Sequence, residues 1–118
     1  MRIRSDIFVS ALTRRVFADG GYAAVVRKGS DASGAIFVRQ RFRDGLETLY
    51  GPAPQMMIGE EERDDRLFEE RVSKADPEAV EALIAREMKF DSDLWLVEIE
   101  IEVDAIGDYL ALVTVPGP

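Results

Sequence analysis

The stretch LWLVEIEIEV, residues 94–103, constrains the fold more than any other part of the chain. Trp95, Val97, Ile99, Ile101 and Val103 alternate with Glu98, Glu100 and Glu102. A two-residue period sends successive side chains to opposite faces of a sheet, so this segment reads as a strand with one apolar face. Leu94 and Leu96 lie on the glutamate side of the alternation, which predicts some burial on the second face as well. A strand of this kind is not stable alone. The rest of the chain has to supply neighbouring strands and helices that cover them.

Helical spacing occurs twice. Ser5 and Asp6 form a helix start and Gly20-Gly21 a stop, and between them Phe8, Val9, Leu12 and Val16 share a stripe with Ala11. Arg15 falls inside this apolar arc and Arg14 outside it. Asp76-Pro77-Glu78 joins a cap, a proline at the first helical position and an early acid. Val80, Leu83, Ile84 and Met88 follow on one stripe, with the helix ending near Phe90.

Between the helices, residues 22–28 read as a strand, 29–34 as a loop and 35–42 as the next strand. Arg43-Asp44-Gly45 reverses the chain, because Asp-Gly supplies the positive φ of a hairpin. Residues 46–50 return, and an antiparallel meander is the economical arrangement. Residues 51–66 show no period, and so long a connection is usually functional or mobile. Residues 67–72 read as a short edge strand whose Glu69, Glu70 and Arg71 suit an edge. Residues 109–115 are expected to return as the hairpin partner of 94–103. The fold class is α/β in the α+β sense. One domain holds a mostly antiparallel sheet of five or six strands and two main helices, a three-layer sandwich if the helices take opposite faces.

Composition removes whole classes of chemistry. The 118 residues include no cysteine and no histidine. Disulfides, thiol catalysis, serine–histidine chemistry and nearly every zinc, copper or non-haem iron site are therefore excluded. A metal would have to be a hard cation held by oxygen, and no cofactor is expected. The formal charge of −8 is uneven, with +4 over residues 1–50 and −12 over the remainder. Two halves that fold together neutralise one another, and a pI near 4.6 disfavours nucleic acid. No run approaches the roughly 18 apolar residues of a membrane span, so a cytoplasmic protein is expected.

The segments SALTRRVF, SGAIFVRQ, LYGPAPQ, DDRLFEE and FDSDLWLVEIE, in this order, resemble a family of short alphaproteobacterial proteins. It is known as domain of unknown function 1491. The resemblance runs from Ser5 to Ile101 and implies a compact α/β fold in a bacterial cytoplasm. It supplies no activity and no catalytic residues.

Candidate site residues cluster at the LYGPAPQ corner. Pro52 and Pro54 fix φ and remove donors, and Gly51 permits a sharp turn or close backbone approach. With the third strand ending at Tyr50, the phenol lies at the rim of the sheet beside Gly51, Pro52, Pro54 and Gln55. Either the prolines block an exposed strand from pairing with another molecule, or the corner is a binding lip that residues 55–62 cover. Arg15 must pair, snorkel or reach a site, a structural salt bridge to a strand carboxylate being the plain outcome. Glu60, Glu61, Glu62, Asp64 and Asp65 lack calcium-loop spacing and read as a solvated loop, and Asp91-Ser92-Asp93 reads as a turn rather than a magnesium site. Glu98, Glu100 and Glu102 lie ~6.6–6.8 Å apart along one face, but any alternating strand gives that spacing. If their strand neighbours Arg39 and Arg41, cross-strand ion pairs are the plain explanation.

Three function classes follow. The first is a non-enzymatic binding or adaptor module with a protein partner, itself a monomer or a weak homodimer through an exposed strand edge. The second is a small hydrolase or isomerase using carboxylates with Arg15 and Tyr50. The third is an RNA binder using Arg39, Arg41 and Arg43 with Phe37 or Tyr22 as stacking partners.

Overall fold

A computed structural model describes residues 3–54 and 66–113 of the chain. The elements in order are α1 (Ser5–Ala18), β1 (Tyr22–Arg27), β2 (Ile36–Arg41), β3 (Glu47–Pro52), β4 (Leu67–Ala75), α2 (Pro77–Phe90) and β5 (Trp95–Glu100). A 3₁₀ helix (Val103–Asp108) and a short β6 (Ala111–Leu112) follow. The six strands form one sheet in the order β1-β5-β2-β3-β4-β6.

Alternation along the strands builds two cores. Trp95, Val97 and Ile99 point to one face with Ile36, Val38 and Tyr50, and α1 covers them with Val9, Leu12 and Val16. Leu94 and Leu96 point the other way with Phe37 and Leu49, under Val80 and Ile84 of α2. The helices therefore lie on opposite faces and the domain has three layers. Each fully covered aliphatic side chain contributes roughly 1.5–3 kcal/mol.

The expected hairpin is present. β2 pairs antiparallel with β3, and Gly45 has the positive φ, 88°, that the reversal needs. The meander is not. β5 lies between β1 and β2, antiparallel to the first and parallel to the second, so the sheet is mixed. β5 thus takes an interior position, where both its faces are covered. The return of residues 109–115 beside β5 is also corrected. The chain leaves β5 after Glu100, and β6 pairs in parallel with the start of β4 at the far edge. The strand expected over 67–72 runs on to Ala75, and β3 runs past Tyr50 to Pro52, which pairs with Phe68. Asp76 occupies the N-cap of α2, but its carbonyl rather than its side chain accepts from the first turn.

Candidate functional site

The corner residues separate once folded. Tyr50 points into the α1-side core, almost fully buried, and its hydroxyl donates to Gln40 Oε1 at 3.3 Å. Burial, with the Glu70 charge adding to it, pushes the phenol up to about 12. It stays protonated at neutral pH and supplies neither a base nor a nucleophile. Because the folded value lies above the ordinary value near 10, its contribution to stability is complete below pH ~10 and is lost as pH rises toward the folded value. Tyr50→Phe should therefore flatten the alkaline arm of a stability–pH curve between pH 10 and 12. An unchanged slope in urea melts would contradict the burial argument.

Gly51 faces the α2 side, where space is already taken. A Cβ there would lie 2.7 Å from Phe37 Cε2 and 2.9 Å from Arg71 Cζ. The Arg71 guanidinium sits 5.3 Å from the Phe37 ring centroid and donates to the Pro52 carbonyl at 2.7 Å. Its charge is met by Glu69 at 3.0 Å and Glu87 at 3.5 Å. The glycine is therefore a socket for a stacked arginine. Gly51→Ala is expected to cost about 1–3 kcal/mol through overpacking, read as a lower urea midpoint with unchanged m.

Pro52 lines a cleft of about 170 Å³ at the end of the sheet, with Ser33, Ile36, Arg66, Phe68 and Asp91 among its walls. Its volume is below the roughly 300–1,000 Å³ of a typical small-molecule site. Arg66 Nη2 donates to Ser5 Oγ at 2.7 Å and to the Ile3 carbonyl at 3.1 Å, tying the start of β4 to the start of α1. Pro54 is exposed, while Gln55 and the acidic residues 60–65 lie outside the described residues.

Arg15 is exposed on α1 rather than set in its buried stripe. Its guanidinium donates to the Asp108 carbonyl and lies 5.1 Å from the Tyr109 ring centroid. Tyr109 in turn donates to Asp19 at 2.6 Å. Arg15 thus fastens the 3₁₀ segment to the helix through a carbonyl, where a strand carboxylate was expected. It shares no partner with Tyr50, so the hydrolase reading loses the convergence it requires. Asp91 Oδ1 accepts from the Asp93 amide at 2.9 Å, the turn-forming role. Among the described residues no group of three acids is placed to hold a metal.

Arg39 belongs to a buried charge network that sequence reasoning saw only in part. On the α2 face its Nε donates to Glu47 Oε1 at 2.7 Å and its Nη1 to Glu81 Oε2 at 2.6 Å. Glu98, paired in register with Arg39, stands 3.7 Å away. Arg41 closes the ring with Glu47 at 3.3 Å and Glu98 at 3.6 Å. Burial pulls the Arg39 pKa down, but the hydrogen bonds it donates to Glu81 and Glu47 outweigh it, and the pKa stays above its ordinary value. The cross-strand pairs anticipated for Arg39 and Arg41 are present in Glu98. Glu47 and Glu81 were missed, although the hairpin over residues 43–45 already sets Glu47 opposite Arg41. With Arg39 and Phe37 both buried, the RNA reading loses two of its named contacts.

The exposed apolar surface lies elsewhere. Among the described residues β1 is an edge strand bonded only to β5. Around it Phe17 is 54% exposed, Tyr22 50%, Val25 45% and Val26 52%. The Phe17 and Tyr22 rings meet edge to face with centroids 5.9 Å apart. The opposite edge differs. β6 shields Leu67 and Phe68, and beyond them β4 carries Glu69, Glu70, Arg71 and Lys74. Charge protects one edge of this sheet, and among the described residues the other is left apolar and open.

Among the described residues these features define a small three-layer α+β domain with a mixed six-stranded sheet and one open apolar edge. The chain belongs to the family described as protein of unknown function (DUF1491), whose pattern matches residues 3–105. It is similar to protein Atu0922 from A. tumefaciens, known from a solution structure, at 57% identity over the whole of both chains with a TM-score of 0.84. It is also similar to a DUF1491 family protein from Caulobacter crescentus CB15, known from a crystal structure. The identity there is 28% over 97% of this chain and 100% of the other, with a TM-score of 0.74. No protein among those with curated descriptions matches the chain. The relatives are alphaproteobacterial, in keeping with the sequence resemblance. Among the described residues no helix is long and apolar enough to cross a membrane.

Proposed function

We propose that this domain is a cytoplasmic, non-enzymatic binding module that engages a protein partner along the open edge of β1. The observation that carries this reading is the set of half-exposed apolar side chains, Tyr22, Val25 and Val26 with Phe17 of α1 beside them, on a strand whose outer hydrogen-bonding edge has no partner among the described residues. An extended segment added there gains main-chain hydrogen bonds, while side-chain pockets supply selectivity. The candidate residues at the corner support the same reading indirectly. Tyr50 and Gly51 are spent on packing, and the cleft beside Pro52 is small.

The test is capture from an alphaproteobacterial lysate with the full tagged chain, its Val25→Lys variant and a variant with residues 55–62 replaced by a flexible linker. A protein retained in stoichiometric amount by the native chain and the linker variant, but lost from Val25→Lys, is the expected result. Loss from the linker variant alone would move the interface to the corner and contradict the edge assignment.

A further inference from the structure

We infer that the β1 edge takes a second copy of this chain, paired antiparallel about a two-fold axis close to Ala24. The inference rests on the edge-binding reading above and names its occupant. An antiparallel edge is self-complementary when residues of one face meet residues of the same face, which requires paired positions of equal parity. With Ala24 at the axis, half-exposed Val25 of one copy lies against Ala23 of the other, and Tyr22 lies at the end of the segment near Val26, where the register shift breaks the alternation. Ala24 itself is small and only partly buried, and it leaves room for the two backbones to approach.

The charges at the two ends also match. Lys28, with 70% of its side chain exposed, lies just past one end of the strand. Beyond the other end lies exposed Asp19, and exposed Glu100 sits beside Tyr22 on β5. The two-fold axis brings Lys28 of each copy toward the Asp19 and Glu100 end of the other. Gly20 and Gly21 precede the strand there and place no side chain in the way. The register shift between Val25 and Arg27 ends the regular ladder, so the regular segment symmetric about Ala24 is three residues long, 23–25. So short a ladder gives a weak association, in the range of about 10 µM to about 1 mM.

The full chain is examined by sedimentation across that concentration range, with Ala24→Lys and Val26→Lys in parallel. Ala24→Lys sets two like charges on the axis, and inside one copy its neighbour on β5 is Glu98, so the fold has a local counter-charge. Val26→Lys alters a side chain that is already half in solvent. Expected is a concentration-dependent dimer whose dissociation constant rises at least about tenfold in both variants. Isotope-filtered contacts between Ala23 and Val25 of differently labelled copies are expected with it. A chain that sediments as a monomer throughout, or a dimer without these contacts, overturns the inference. If in that case Val25→Lys still abolishes capture of a foreign protein, self-pairing alone has failed and the edge-binding reading stands.

Discussion

Gly29→Ala is expected to lose about 3 kcal/mol or more of stability, the largest effect of a methyl added at any of the described glycines. A Cβ at Gly29 would lie 2.0 Å from the Asp93 carbonyl oxygen and 2.6 Å from the Leu94 carbonyl carbon. Both are backbone atoms, so no side chain can rotate aside. The loop over residues 29–34 would have to lift away from the turn that precedes β5. That breaks the Ser30 amide bond to the Asp93 carbonyl at 2.9 Å and the Trp95 Nε1 bond to the Ser30 carbonyl at 2.8 Å. Trp95 is the single tryptophan of the chain, so its fluorescence reports the change directly. A urea midpoint within about 1 kcal/mol of the native one would show that the loop relaxes more freely than its packing implies.

Arg39→Ala is expected to cost about 3–5 kcal/mol, because it strands Glu47, 2% exposed, without its shortest cationic partner. Arg41 remains within reach of Glu47 at 3.3 Å, but it is half exposed and holds Glu98 as well. Its own removal should cost far less, about 0–1 kcal/mol. The contrast between the two arginines separates a buried charge from a screened one. Replacing Arg39 and Glu47 together, by methionine and leucine, should recover most of the loss, since no orphaned charge is left. Glu81 would keep its place in solvent on α2, 66% exposed. Equal losses for Arg39→Ala and Arg41→Ala in chemical denaturation would contradict the network as described.

The sequence exposed the elements better than their neighbours. The alternation of residues 94–103 identified a strand, and Leu94 and Leu96 foretold its second covered face. Nothing local, however, says that β5 inserts between β1 and β2, because a parallel pairing leaves no turn signal in the chain. The same gap explains β6. Two residues that pair with β4 only after a 3₁₀ turn carry no period to read. Arg15 shows a different limit. The helical wheel set it in the apolar arc, but that edge of the arc faces the 3₁₀ segment, whose position depends on residues far along the chain.

At the candidate site, Gly51 and Pro52 drew attention for a sound reason and received another role. Gly51 marks close approach, as its sequence context implied, but what approaches is the Phe37–Arg71 stack. A third strand that ends at Tyr50 puts the phenol at the rim of the sheet. Pro52 instead continues the strand opposite Phe68, and the tyrosine lies inside. The apolar edge was readable only in outline. Tyr22, Val25 and Val26 are ordinary strand residues until the strand order places them at the margin of the sheet.

Amide hydrogen exchange tests the edge assignment most directly, measured residue by residue on the full chain with and without its captured partner or at low and high concentration. Binding along β1 predicts slowed exchange confined to residues 22–26, with β4 unchanged. Protection that instead gathers at Pro52-flanking residues 51–54 and 66–68, leaving β1 as fast as in the isolated chain, would contradict it.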